Sequence, residues 1–286
     1  MEITLGEKLG EGGFGRVYAV RGDPNSCVKI SNKNNSCRAW RNEYITIMDI
    51  HSKLENNEIF KRMKYVRIIR PTKFIEVKSG GDCYMLMNRI YRPLIDKSSP
   101  LLKSPSPYIN SQLSFNSVSS TKDSMSSISS LSFSNKYEGN GKTLHSLFGM
   151  KKSTYKKSER GEFIGINILQ TIFTPDQMKT VAYELGKMMA LLHFVAKNDA
   201  FDIELYIGVE YKTRKVRIYI SDFDLSEKIT QYTDDIIEDR MEWSLSAMPY
   251  FPTSDSNKHL YESFKKGYKK TANDDAIVEK LFSIYT

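Results

Sequence analysis

Gly10-Glu11-Gly12-Gly13-Phe14-Gly15-Arg16-Val17 is the stretch on which the reading of this 286-residue chain turns. Glycines at Gly10, Gly12, Gly13 and Gly15 let a hairpin backbone approach phosphate oxygens and leave its N–H groups free to donate. The same spacing also suits a strand–turn–helix dinucleotide site or a structural loop. The dinucleotide site needs a helix straight after the glycines, whereas Val17-Tyr18-Ala19-Val20 is β-prone. A glycine-bearing β-hairpin is therefore expected, with Val17 on its second strand.

Working outward, Cys27-Val28-Lys29-Ile30 places a lysine inside a strand. A strand lysine is usually a surface residue, but one following a glycine loop can bridge phosphate oxygens as a point charge. It then needs a carboxylate to orient it, and Glu43 is the candidate. Trp40, Tyr44, Ile47, Met48 and Leu54 show helical spacing, so Glu43 is expected on a helix. Short β-prone runs follow at Tyr65–Ile69, Lys73–Val77 and Cys83–Met87, with a turn at Ser79-Gly80-Gly81-Asp82.

Further along, Thr174-Pro175-Asp176-Gln177 reads as a helix start, with Thr174 as N-cap, Pro175 at the first position and Gln177 completing a capping box. Met178, Val181, Ala182, Leu185, Met188, Met189 and Leu192 form its core face. His193 at its end reads as a core or capping histidine. The acidic run Asp199-Ala200-Phe201-Asp202-Ile203-Glu204 follows. Its carboxylates can bind metal, act as base, or simply form an exposed acidic loop. Ile203–Val209 and Val216–Ile220 then read as a hairpin, ending at Asp222-Phe223. Asp222 reads as a metal ligand, or as a plain strand-ending aspartate.

Each of these signals is weak alone, but their order is informative. Glycine loop, strand lysine, helix glutamate, β-rich segment, long helix, acidic loop, hairpin and Asp-Phe arrive in protein-kinase order. The expected fold is α+β and protein-kinase-like, with a small β-rich N-lobe (1–95) and a reduced helical C-lobe (161–286). In that order Asp199 takes the place of the catalytic base, and Lys29 and Glu43 position phosphates. Asp222 and Glu204 hold Mg²⁺ as hard oxygen ligands. Several positions depart from active kinases. Lys197 and Asn198 replace the His-Arg before the base, Phe201 replaces the catalytic-loop lysine, Glu204 replaces the metal-binding Asn and Asp224 replaces the Gly of D-F-G. Only 64 residues follow Asp222, too few for the usual substrate-docking region.

The chain also resembles a fungal protein-kinase-like family of unknown function that carries a zinc-finger-associated label. Four segments carry the resemblance: Met87-Asn88-Arg89-Ile90-Tyr91-Arg92-Pro93-Leu94, Asp199 to Gly208, Ser221-Asp222-Phe223-Asp224 and Pro249-Tyr250-Phe251-Pro252. Thr253 stands where the family usually has Arg. The resemblance implies an intracellular protein with a kinase-like core and supplies no known activity. It makes the first segment a hinge, with Met87 and Arg89 beside the nucleotide.

The remaining composition bounds the answer. The chain is 40% hydrophobic and 27% charged, an ordinary globular balance. No membrane span or secretory signal is evident. The net charge of +8 comes mostly as small Lys pairs, so nucleic acid is not an expected partner. Cys27, Cys37 and Cys83 are odd in number and widely spaced, so neither a disulfide framework nor a zinc site is expected, and a reduced compartment, cytoplasmic or nuclear, is the default. Sixteen of residues 98–134 are Ser, too polar a segment to offset its ordering entropy. Residues 96–160 therefore read as a largely disordered insertion that could dock a protein partner. The expected ligands are ATP and Mg²⁺. The expected activity is an atypical phosphotransferase with an unknown acceptor. The alternative is a pseudokinase scaffold that binds nucleotide or a protein without turnover.

Overall fold

The computed structural model describes residues 3–11, 15–31, 37–76, 83–93, 144–147, 156–157, 162–246 and 250–285. The chain is mixed α+β, with an antiparallel sheet towards its N-terminus and helices towards its C-terminus. Strands β1 (Leu5–Glu11), β2 (Gly15–Val20) and β3 (Asp23–Ser31) run as a meander. Helix α1 (Cys37–Leu54) and the short α2 (Glu58–Arg62) follow. Next come β4 (Val66–Ile68), β5 (Pro71–Glu76), β6 (Cys83–Asn88) and β7 (Ile90–Tyr91). The first sheet has the order β1-β2-β3-β6-β5.

α1 forms because its apolar side chains recur at helical spacing. It buries Trp40, Ile47, Ile50 and Leu54, and Glu43 lies on that same buried face. The reading of Tyr65–Ile69, Lys73–Val77 and Cys83–Met87 as strands holds within a residue or two among the described residues.

Three strands follow in the next part of the chain: β8 (Leu144–Leu147), β9 (Lys156–Lys157) and β10 (Glu162–Gly165). β8 and β9 fall inside the segment expected to be disordered, and that expectation fails for them. A strand added to a sheet satisfies its backbone groups by pairing, so it needs little apolar surface of its own. The Ser-rich residues 98–134 lie outside the described residues.

Helix α3 (Ile166–Ile172) leads into α4 (Pro175–Ala190), which starts on the expected capping box. The Thr174 side chain accepts from the Gln177 N–H, and the Gln177 side chain accepts from the Thr174 N–H. A π-helical turn, Leu191–Val195, ends it. The hairpin β11 (Glu204–Glu210) and β12 (Val216–Ser221) forms as expected. It belongs to a second sheet of order β4-β12-β11-β8-β10-β9, with β7 paired to β11. Helices α5 (Asp234–Ser246), α6 (Ser254–Thr271) and α7 (Asp275–Ile284) close the chain.

α4 and α6 cross closely. A Cβ on Gly186 would strike the Phe264 carbonyl, and one on Gly267 would strike that of Tyr183. The large core fills around this crossing with Val181, Leu185, Met188, Phe264 and Tyr268. Thr253, at the position where the resembling family has Arg, is the N-cap of α6. Its side chain accepts from the Ser256 N–H, and the Ser256 side chain returns the bond.

One expectation about the cysteines is overturned. Cys37 and Cys83 are joined in a disulfide, with Cα atoms 5.7 Å apart. They are 46 residues apart in sequence, and only the fold brings the first residue of α1 beside the first residue of β6. Cys27 remains a free, buried thiol, and burial pushes its pKa up to about 12.

Candidate functional site

Lys29 sits on β3 between Val17 of β2 and Met85 of β6. Its ammonium Nζ donates to Glu43 Oε1 and Oε2 at 3.1 and 3.2 Å, and to Asp222 Oδ1 at 3.1 Å. Trp40, one turn before Glu43 on α1, lies below it with the ring centroid 4.6 Å from Nζ. The two carboxylates arrive from 14 and 193 residues away. Burial alone would lower the lysine pKa. The charges of Glu43 and Asp222 outweigh it and hold the pKa above the usual lysine value. Glu43 is shifted upward, first by burial and then by Asp222, against the pull of Lys29. One cation between two carboxylates leaves the group net negative, and Glu43, the more deeply buried, carries the consequence.

The glycine loop contributes in two ways. Gly15 pairs with Ser31, and a Cβ there would stand 2.5 Å from Trp40 Cζ2 and 2.7 Å from the Ile30 carbonyl oxygen. Gly15 therefore admits the Trp40 ring that floors Lys29. Gly10 pairs with Val17 across the hairpin. Gly12 and Gly13 lie outside the described residues. Met87 is buried in β6 opposite Cys27. The Arg89 N–H donates to the Asn25 carbonyl at 2.7 Å, and its guanidinium pairs with Glu7 at 2.6 Å. Arg89 thus ties β6 to the start of the meander.

Asp222 terminates β12 with φ +65°, and Asp202 before β11 has φ +58°. Non-glycine residues enter this left-handed region at a cost and cluster there at functional sites. Phe223 turns into the core, 1% exposed. Around Asp222 stand Asp202, Glu204 and Asp224. All three are raised above the usual carboxylate range, first by burial and then by the charge of Asp222. Glu204 reaches about 7, even though the Tyr206 hydroxyl donates to it.

This shift has a consequence for pH. A carboxyl raised from about 4.5 to about 7 binds its proton more tightly folded than unfolded, so its contribution is present below pH 4.5 and lost as pH rises through 7. The stability difference between Glu204→Gln and wild type is expected to move in favour of the variant across that window. Urea unfolding of both proteins at several pH values reads it; a pH-independent difference would show Glu204 to titrate normally.

Asp199 is not part of this cluster. It is fully buried, and its carboxylate accepts from Arg240 Nε at 2.6 Å and from the N–H groups of Glu227 and Phe201 at 2.8 and 3.1 Å. Arg240 also reaches Glu227 at 3.2 Å. Spacing put Asp199 in the base position, yet the geometry locks it into a structural ion pair, and Asp202 is the aspartate that faces Asp222. His193 is buried as expected. Nε2 lies 3.2 Å from the Asp199 carbonyl oxygen, which can only accept, so Nε2 carries the proton. Nδ1 then accepts from the Tyr268 hydroxyl at 2.6 Å. Burial lowers its pKa to about 4, so the ring is neutral.

Three residues escaped the sequence reading: Trp40 as the floor of Lys29, Arg240, and Glu184, whose carboxylate accepts from the N–H groups of Lys64, Tyr65 and Val66. For Glu184 there was a signal, an acid inside an apolar helix face. Among the described residues, no group of three or more His, Cys, Asp or Glu is arranged to hold a metal ion. Among them, too, no helix is long and apolar enough to cross a membrane. No family model and no curated protein matches the chain.

Proposed function

We propose that this chain is a kinase-like, ATP- and Mg²⁺-dependent phosphotransferase with a two-lobed arrangement and an atypical catalytic loop. One observation carries the reading: Lys29 is held between Glu43 and Asp222. A lysine oriented by a helix carboxylate beside a strand-end aspartate is suited to grip phosphate oxygens. Asp222 and Glu204 offer hard carboxylate oxygens of the kind Mg²⁺ prefers. The carboxylates of Asp202, Glu204, Asp222 and Asp224 are not gathered into a metal-holding group, and their mutual repulsion would fall if a divalent cation drew two of them together. Bound Mg²⁺ would supply neutralisation of phosphate charge. Glu43 keeps Lys29 extended, and Gly15 with Trp40 keeps it in place. Asp202, in place of Asp199, is the carboxylate suited to orient an acceptor hydroxyl.

The second reading, a nucleotide-binding pseudokinase in which residues 96–160 engage a protein partner, is favoured by the sealed Asp199 and by Phe201 in the catalytic-lysine position. The resemblance to the fungal kinase-like family belongs to both readings, whereas the cytoplasmic or nuclear location loses its cysteine argument to the Cys37–Cys83 bridge. Thermal-shift titration with ATP, with and without Mg²⁺, tests what they share. A saturating nucleotide at a hundredfold excess over Kd adds about 2.7 kcal/mol, or roughly 5 °C for a chain of this size. That increment is expected with Mg²⁺ and expected to vanish in Lys29→Ala. An equal increment in the variant, or none at millimolar ATP, overturns both readings. Phosphate release or transfer, measured on the same samples, then separates turnover from binding.

A further inference from the structure

We infer that the outer face of α5, together with Phe201, is a docking surface for a basic peptide of a partner protein. This surface stands whether or not the chain transfers phosphate.

The argument begins with burial. Trp243 is 64% exposed, the most exposed large hydrophobic side chain among the described residues. Ile236, seven residues earlier on the same helix face, is 44% exposed. The Trp243 ring lies against Phe201, with centroids 5.9 Å apart and planes tilted by 32°. A tryptophan braced by a second aromatic and left open to water is the residue type that anchors protein interfaces. Phe201 immediately precedes Asp202, so the platform adjoins the carboxylate cluster around Asp222.

Charge selects the occupant. α5 carries Asp234, Asp235, Glu238, Asp239 and Glu242 against one basic residue, Arg240, which turns inward to Asp199. Asp235 and Asp239 are exposed one turn apart and flank Ile236 and Trp243. A small groove continues the face between α5 and α7, with Glu238, Asp239 and Glu242 on one wall and Ile277, Lys280 and Ile284 on the other; Lys280 pairs with Glu238, which leaves Asp235 and Asp239 as the exposed acids beside Trp243. The whole chain carries +8, so this acidic helix runs against the sign of the molecule. An apolar anchor edged with carboxylates complements a segment with Lys or Arg side chains, whose stems can lie on the aromatic rings while their heads reach the acids.

The two tryptophans make the test direct, because Trp40 is buried and Trp243 is not. The full chain is titrated, without nucleotide, with a Lys/Arg-rich peptide free of aromatic residues, and tryptophan emission is followed. An all-Glu peptide of equal length is the control. A saturable change is expected with the basic peptide alone, and calorimetry is expected to show that Trp243→Ala weakens binding. The pair Asp235→Lys and Asp239→Lys, both exposed, is expected to weaken it roughly tenfold. Absence of an emission change, an equal response to the Glu peptide, or affinity untouched by charge reversal each overturns the inference. Sedimentation that reveals self-association abolished by the same charge reversal also overturns it, by assigning the face to a second copy of the chain.

Discussion

Replacing Glu184 by alanine is expected to lower the melting temperature by roughly 10 °C. Glu184 lies on the buried face of α4, and its carboxylate accepts three backbone N–H groups: Lys64 at 2.7 Å, Tyr65 at 2.7 Å and Val66 at 3.1 Å. These N–H groups lead into β4, which joins the second sheet through its parallel pairing with β12. Each buried N–H left without an acceptor costs about 1–3 kcal/mol. Three together give roughly 3–6 kcal/mol after partial relaxation and hydration, at about 2 °C per kcal/mol. Glu184→Gln keeps one carbonyl acceptor but turns an amide donor towards an N–H, so it is expected to fall between wild type and alanine. Calorimetry or urea unfolding measures the series. A loss in Glu184→Ala no greater than that of an exposed glutamate such as Glu58 would mean that water replaces the carboxylate. The effect reaches the candidate site, because the strand that β4 supports ends at Asp222. If nucleotide stabilises the chain as proposed, that increment is expected to persist in Glu184→Ala at temperatures where the variant is folded, since Lys29 and Glu43 are untouched.

The contrast between Glu184 and Glu43 shows what a sequence can reveal. Glu43 was legible because the glycines, Lys29 and the helix holding Glu43 are near one another in the chain, and each has its own local signature. The same holds for the Thr174 capping box and the β11–β12 hairpin, whose signals are written within a few residues. Glu184, Arg240 and the Cys37–Cys83 pair depend on partners between 41 and 120 residues away. No local pattern specifies such a partner, and only the packing of α4, α5 and the two sheets supplies it. The strands at 144–147 and 156–157 failed for a related reason. Composition measures what a segment can bury by itself, and a strand that joins an existing sheet edge needs much less. Glycine shows a subtler gap. The loop motif was read as a way to approach phosphate, but at Gly15 the visible constraint is the Trp40 ring.

Asp199→Ala is expected to unfold the protein about 10 °C earlier, because it leaves the N–H groups of Phe201 and Glu227 without their acceptor, and Arg240→Ala by a comparable amount, because it strands the buried Asp199 charge. Asp199 has no exposed surface, and Arg240 bonds it through Nε at 2.6 Å. Breaking such a pair costs about 3–5 kcal/mol, whereas removing both partners costs less than the sum. The Asp199→Ala and Arg240→Ala double variant is therefore expected to be no less stable than the worse single variant. Asp199 also holds the N–H groups of Phe201 and Glu227, so its loss loosens both the loop that presents Asp202 and the segment after Phe223. Asp202→Asn is the counterpart. Its carboxyl is raised by burial and by Asp222, so neutralising it relieves repulsion, and stability is expected to hold or rise. If the chain transfers phosphate, Asp202→Asn is expected to abolish transfer while leaving the melting temperature intact. Asp199→Ala is expected to reduce transfer in part, through its loss of folded protein and the loosened loop, without abolishing it. The reverse pattern, a stable Asp199 variant without activity beside an active Asp202 variant, would return the base to the position that spacing alone assigned. The ion pair would then have to open during turnover, and Arg240→Ala would raise the rate instead of lowering it. Together the three variants separate a residue that orients an acceptor from one that holds the loop on which the acceptor site is built.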